Sequence, residues 1–243
     1  MKINNLCFVV LVFLLSCATE DEGQVSLRDV IAMNLGVVQD EVIACAASSK
    51  ADANTSFVFY YPIPTATNIQ YFETESIQDD KNDFSLYKEI LLPKEKVFNG
   101  YLERFVRESN KEVWCIVTYN SEGKFHKSNP IRIKNQSKPT EWIDEVAIDF
   151  PEATTPKFSW NDGTVKENAI YFQVVTDANE TLLSGTYTFE KMFQYYNLSN
   201  VVLNVTRETP PALILGSNYG FTMMGVSEDN WVNLVIQKSF EVK

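Results

Sequence analysis

From Glu41 onward, short apolar runs alternate with polar turns along the chain. The runs are rich in branched and aromatic residues, which favour β-strands, and they include FVFYY (57–61), EVWCIVTY (112–119), AIYFQVV (169–175), NVVLNVT (200–206) and WVNLVIQ (231–237). Clusters such as NSEGK, NDGT and SEDN separate the runs and are typical of turns. The pattern predicts an all-β protein.

One segment ahead of these runs has a helical pattern. Ser26 is suited to be an N-cap, Asp29 follows it three residues later, and Gly36 can end the helix. We therefore predict a short helix within residues 17–36, behind an acidic stretch that would act as a tether.

The amino-terminal residues have the pattern of a targeting segment. Lys2 is followed by an unbroken apolar run, LCFVVLVFLL, from Leu6 to Leu15. About ten residues of helix rise about 15 Å, half of a bilayer core of about 30 Å, so the run is too short to span a membrane. Residues 1–16 are therefore predicted to be a secretory signal.

The end of this segment, LLSC, resembles the lipobox of bacterial lipoproteins. That resemblance implies acylation of Cys17, which becomes the first mature residue and holds the protein on the bacterial outer membrane. Two or three acyl chains anchor stably where one does not. The acids at 20–22 resemble the surface-export signal of Bacteroidota lipoproteins, which implies an outward-facing protein. The alternatives are an ordinary signal peptide with an incidental cysteine, a solvated spacer, and a periplasmic orientation.

Composition limits the classes of function. Of 243 residues, 45% are apolar and 13% aromatic, enough for a substantial core. The formal net charge is −11, and no basic stripe is visible, so nucleic-acid binding is not expected.

The sequence also suggests an internal repeat of about a hundred residues. Tyr71-Phe72 and Tyr171-Phe172 each follow a short aromatic strand, and a polar seam, IKNQSKPTEW, lies at 133–142. The predicted domains are therefore residues 37–136 and 137–243.

Each predicted repeat resembles a fibronectin type III domain. In the first repeat a strand ends in an aromatic residue and proline, Tyr61-Pro62, and the motif A-x-x-I-x-Y follows at 66–71. The motif Y-N-S-x-G lies at 119–123, and S-N-P-I lies at 128–131. In the second repeat Trp160 matches the buried tryptophan of strand B and Tyr171-Phe172 match strand C.

The resemblance implies two tandem fibronectin type III or immunoglobulin-like β-sandwiches. It also assigns NVVLNVT and YGFTMMGVS to strands E and F of the second repeat, although the usual Leu-x-Pro-x-x-x-Tyr corner is only approximated at 210–213. A single larger sandwich is the alternative.

No catalytic pattern stands out, so we predict that the protein is not an enzyme and has no cofactor or metal. The single histidine, His126, lies in the turn GKFHKS, where a solvated loop or edge is expected. There is no Gly-x-Ser-x-Gly elbow and no phosphate-binding glycine loop. The acidic run QDDKNDF (78–84) lacks the glycine of a calcium loop, which favours a polar loop.

Two further sets of residues are candidates for a specific role. Cys45 and Cys115 could form a disulfide in an exported protein or stay as two buried thiols. Phe193, Tyr195 and Tyr196 fall in a predicted inter-strand segment, where exposed rings could bind a ligand.

These observations predict a lipid-anchored surface protein that acts as a non-enzymatic interaction or accessory module. The alternative is a glycan-binding lipoprotein accessory to polysaccharide uptake. Coplanar exposed aromatics would favour a glycan partner, whereas a flat apolar patch or a bare edge strand would favour a protein partner.

Overall fold

The computed structural model describes residues 25–34, 36–39 and 41–243. Cys17, the apolar run before it and the acids at 20–22 lie outside the described residues. The predicted helix is present as α1 (Leu27–Met33): the Ser26 side chain accepts from the Asp29 N–H, and the Asp29 carboxylate accepts from the Ser26 N–H. Asn34 is its C-cap.

Strands make up most of the remaining regular structure, which confirms the all-β prediction. In the described part of the chain they are β1 (Val37–Gln39), β2 (Ala44–Ser48), β3 (Thr55–Tyr60), β4 (Thr67–Glu73), β5 (Lys88–Glu89), β6 (Lys94–Val97), β7 (Leu102–Glu108), β8 (Trp114–Ser121), β9 (Lys124–Lys127), β10 (Ile131–Arg132), β11 (Glu141–Ile143), β12 (Ala147–Glu152), β13 (Thr155–Ser159), β14 (Ile170–Thr176), β15 (Leu182–Thr188), β16 (Met192–Gln194), β17 (Val201–Asn204), β18 (Asn218–Val226) and β19 (Val232–Glu241).

The strands form four sheets, which we number by their order in space. Sheet I has the order β1-β9-β8-β4-β5, with β10 also on β8, and sheet II has the order β2-β3-β7-β6. Sheet III has the order β11-β19-β18-β14-β15-β17, and sheet IV has the order β12-β13-β16. Neighbours pair antiparallel except β1 with β9 and β11 with β19. Sheets I and II form one sandwich, and sheets III and IV form a second.

The sandwiches lie side by side, so that the four sheets stack in four layers. Alternate residues of β3 show this: Val58 packs between sheets I and II, whereas Phe59 packs between sheets II and III. In β14, Phe172 faces sheet II and Tyr171 faces sheet IV. A strand buried on both faces has a nearly continuous apolar sequence, which explains FVFYY and AIYFQVV. Helix α1 covers the outer face of sheet I through Leu27.

A hairpin of the second sandwich enters the first. Trp231 follows the turn between β18 and β19, yet its side chain is fully buried in the core between sheets I and II. Its indole N–H donates to the Lys138 carbonyl oxygen at 2.8 Å. The Ala46 N–H of β2 donates to the Asn230 carbonyl oxygen at 3.0 Å, so the hairpin also covers the free edge of sheet II.

Ion pairing and hydrogen bonds hold this hairpin in place. The Lys134 ammonium lies 2.8 Å from the Asp229 carboxylate. Burial opposes ionisation of Asp229, but hydrogen bonds from Lys134 and Ser227 outweigh it and lower the pKa of the carboxyl. Nearby, Ser48 and Thr140 exchange backbone-to-hydroxyl hydrogen bonds at 2.9 and 2.7 Å. The two sandwiches are therefore joined by specific polar contacts as well as by the apolar layer.

One strand assignment from the sequence is wrong. NVVLNVT was predicted as strand E of the second sandwich, but β17 pairs with β15 at the edge of sheet III. The strand E position, beside β13, is occupied by β16, which overlaps the segment predicted to connect two strands. Short strands like β16 are hard to recognise, because three residues give almost no alternation.

We predict that Trp231→Ala destabilises both sandwiches together. Loss of a fully buried tryptophan costs about 3–5 kcal/mol, and the affected core belongs to the other sandwich. Chemical denaturation followed by circular dichroism should show one transition at a lower midpoint. Leu215→Ala, a change at a side chain that is 68% exposed, is the control and should change stability by no more than about 0.5 kcal/mol. Two separate transitions in the native protein would contradict the coupling.

Candidate interaction site

Several sheet edges in the described chain carry features that disfavour pairing with another strand. Strand β6 has the sequence KEKV, with its two lysines and glutamate exposed, and β12 has the sequence AIDFPE. Charged residues and proline on an edge disfavour addition of a strand. Strand β2 is covered by the Trp231 hairpin.

The edge strand β17 has no such protection. It pairs with β15 on one side only, and Val202 and Leu203 are 48% and 42% exposed. The sequence from Met192 to Thr206 contains no Asp, Glu, Lys or Arg. An exposed, apolar and uncharged edge is a template for pairing with another chain.

The hydrogen bonds near β17 show which of its backbone groups face outward. The Val205 N–H donates to the Gly185 carbonyl oxygen at 3.0 Å. Because inward and outward groups alternate along an antiparallel strand, Asn204 directs its N–H and C=O away from β15. These groups are placed to pair with an added strand.

Apolar side chains extend this edge beyond the strand. The Val201 N–H donates to the Leu198 carbonyl oxygen at 3.1 Å, so Leu198 closes the turn that leads into β17. Leu198 is 52% exposed, and Phe189, which follows the partner of Val201 in β15, is 66% exposed. We call Phe189, Leu198, Val202 and Leu203 the β17 edge patch.

The end of β17 is fixed to the first sandwich. The Tyr101 hydroxyl donates to the Val205 carbonyl oxygen at 2.6 Å, and the Arg207 N–H donates to the same hydroxyl at 2.6 Å. The Arg207 guanidinium lies 4.5 Å from the centre of the Tyr101 ring and donates to the Tyr61 hydroxyl at 3.1 Å. The strand is thus held from one side and open on the other.

The aromatic ligand site predicted from the sequence is wrong for two of its three residues. Phe193 and Tyr195 are each only 1% exposed and lie in the core between sheets III and IV. Phe193 is a residue of β16, and the Tyr195 hydroxyl donates to the Pro211 carbonyl oxygen at 2.9 Å. Only Tyr196, which is 41% exposed, could contact a ligand. The three rings therefore form no platform.

The other polar candidates have structural partners. Asp79, Asp80 and Asp83 accept hydrogen bonds from nearby backbone N–H groups and so stabilise turns. No cluster of three or more metal-ligating side chains occurs within the described residues. His126 is buried and stacks on Tyr119 with 5.1 Å between ring centres, contrary to the expected solvated position. The reason is that β9 is an inner strand of sheet I, paired with β1 on one side and β8 on the other.

The two cysteines do not form a disulfide in the structure. Both thiols are free. Cys45 faces the layer between sheets II and III, whereas Cys115 faces the core between sheets I and II. Burial raises the pKa of each thiol to about 12.

In the part of the chain that the structure describes, α1 is too short to cross a membrane, and no other helix there could do so.

Comparisons with known proteins give no family by sequence. No protein-family model matches the chain, and no curated protein matches it. Among solved structures, the FN1–FN3 domains of chicken CNTN1 share 13% identity at a TM-score of 0.29, covering 86% of this chain and 69% of that one. A two-domain fibronectin type III segment of chicken tenascin shares 13% identity at a TM-score of 0.25, covering 83% and 98%. Domains A168–A170 of titin share 10% identity at a TM-score of 0.28, covering 87% and 60%.

The fold class follows from the strand order of the chain itself. In the first sandwich β2, β3 and β7 form one sheet and β4, β8 and β9 belong to the other. In the second, β12, β13 and β16 face β14, β18 and β19. These are the places of strands A, B, E and C, F, G in immunoglobulin-like sandwiches. The protein consists of two fibronectin type III or immunoglobulin-like β-sandwiches.

We expect peptide mapping without reducing agent to find Cys45 and Cys115 as unlinked thiols. Alkylation of native Cys45 should be slow at pH 7 and accelerate about tenfold per pH unit up to about pH 10, because the thiolate is the reactive form and its pKa is about 12. Cys115, which is fully buried, should react only after unfolding. A peptide linking the two cysteines would contradict the structure.

Proposed function

We propose that this protein is a lipid-anchored surface protein of the bacterial outer membrane. In this proposal it faces outward, catalyses no reaction, and acts as an interaction or accessory module for a protein partner. The partner docks by adding a β-strand to β17. The observation that supports this most directly is the β17 edge patch, an open and uncharged edge with exposed apolar side chains.

Strand addition fits the chemistry of this edge. The backbone groups of Asn204 can provide hydrogen bonds, while the side chains of Val202 and Leu203 provide apolar contacts. In such complexes the backbone gives much of the affinity and alternate side chains give specificity. Because Tyr101 and Arg207 already fix the end of β17, little order has to be imposed on it during binding.

A protein partner fits better than a glycan. Sugar rings stack on exposed aromatic faces, and burial removes Phe193 and Tyr195 from that role. The glycan-binding alternative therefore loses most of the residues on which it depended.

The lipid anchor is supported by the amino-terminal sequence alone. Cys17 stands directly after a short apolar run and before three acids. An anchor there would leave the sandwiches outside the membrane.

We expect Val202→Lys and Leu203→Lys to abolish binding to the partner. A lysine on the edge adds a charge that an incoming strand would have to bury. For the measurement, a photoreactive amino acid replaces Asn204 in the parent protein and in each variant. After crosslinking in native membranes, the linked protein is identified in each case. Leu91→Lys is the matched control, since Leu91 is 91% exposed and lies in the first sandwich between β5 and β6. Equal crosslinking in all the proteins would refute docking at β17.

The anchor is tested separately by Cys17→Ser. We expect the variant to move from the membrane fraction to the soluble fraction, because no thiol remains to be acylated. Cys7→Ser, inside the predicted signal, should leave the distribution unchanged. A Cys17→Ser protein that stays with the membrane would rule out the lipid anchor.

A further inference from the structure

A cavity lies within the apolar layer that joins the two sandwiches. Its volume is about 190 Å³, and it is partly open to solvent. Sheet II contributes Cys45, Phe59 and Leu102 to its wall, while sheet III contributes Phe172 and Met224. The lining includes no charged side chain. Voids of this size are uncommon in well-packed interiors.

A few polar groups interrupt the apolar wall. The Tyr187 ring stacks on Phe172 with 4.5 Å between ring centres, and its hydroxyl has no hydrogen-bond partner in the described chain. Burial, with a smaller effect from Cys45, raises the pKa of Tyr187 well above its ordinary value, so the hydroxyl stays neutral. Asn129 and Asn230 also line the cavity. An unpaired hydroxyl beside an apolar cavity can bind one polar group of a ligand.

We propose that this cavity binds a small neutral ring compound, the size of benzene to indole, with one substituent hydrogen-bonded to the Tyr187 hydroxyl. The size follows from the volume, since an apolar cavity of about 150 Å³ holds benzene. The neutrality follows from the lining, because no opposite charge would compensate an ionised ligand. The proposal is independent of partner docking at β17.

Such a ligand would contact both sandwiches at once. Cys45 belongs to β2 and Met224 to β18, so the occupied cavity extends the apolar contact between sheets II and III. A compound that binds only this folded arrangement stabilises it according to its concentration and affinity.

The first test uses toluene and phenol as probes with the full-length protein. Calorimetric titration and thermal unfolding should show binding of both, with Tm rising as the free ligand exceeds its Kd. Cys45→Leu, whose larger side chain would take up part of the cavity, should weaken the response to both probes. Tyr187→Phe should weaken phenol about fivefold by removing one hydrogen bond, and should leave toluene unchanged. Leu215→Ala, a change at an exposed residue that does not line the cavity, should respond as the parent protein does.

The second test needs no substitution and decides the matter if Cys45→Leu fails to fold. Toluene should slow alkylation of Cys45 in the parent protein at pH 9, because bound toluene occupies the space that the alkylating reagent must enter to reach the thiol. Cys115, which faces a different core, is the internal control: its alkylation in the unfolded protein should be equally fast with and without toluene. Absence of any Tm rise together with unprotected Cys45 would overturn the proposal. An undiminished Tm rise in folded Cys45→Leu would also overturn it, because the probe would then be bound elsewhere.

Discussion

The burial of Trp231 is the contact on which the rest of the structure depends. This residue belongs by strand order to the second sandwich, but its indole completes the core of the first. The first sandwich therefore cannot close its core until the last hairpin of the chain has formed. Contacts between residues this distant in sequence slow folding, because the loop between them must close first. Because of these contacts, the stability of each sandwich also depends on the folding of the other.

The stacked arrangement explains how the remaining surfaces are used. Sheets II and III each have another sheet packed on both faces, so β3 and β14 are mostly apolar. Sheet III has six strands, whereas the sheets on either side of it have four and three. Its outermost strand, β17, thus lies at the margin of the stack, where an edge can stay open while the strand is fixed by Tyr101 and Arg207. The cavity lined by Cys45, Phe59 and Met224 lies between sheets II and III, where two sheet faces of different width meet.

An open edge and a small apolar cavity offer different kinds of binding. In the two proposals, the edge offers backbone hydrogen-bonding groups to another chain, while the cavity offers apolar volume beside the Tyr187 hydroxyl. Neither needs an ionised catalytic group. Two buried cations have carboxylate partners, Lys134 with Asp229 and Arg107 with Glu73. This is consistent with a module that recognises other molecules.

Local pattern was enough to predict several features. The strand-rich runs and the capped helix at Ser26 follow from neighbouring residues in the sequence. The polar loop at Asp79 to Asp83 was predicted for the same reason. The burial of Trp160 was implied by the resemblance to fibronectin type III domains, and Trp160 is buried in the structure. The signal and lipid anchor at Cys17 rest on sequence alone, because a targeting motif is recognised as a linear segment.

Only the tertiary structure decided which surface each side chain faces. The sequence could not separate the buried Phe193 and Tyr195 from the exposed Leu203, because all three stand in similar uncharged apolar surroundings. It also could not place Cys45 and Cys115 in different layers, or Trp231 in the other sandwich. Alternation along a strand distinguishes two faces, but the neighbour of each face is set by long-range pairing and packing of sheets. Those depend on the whole chain, and for that reason the edge and the cavity emerge only from the fold.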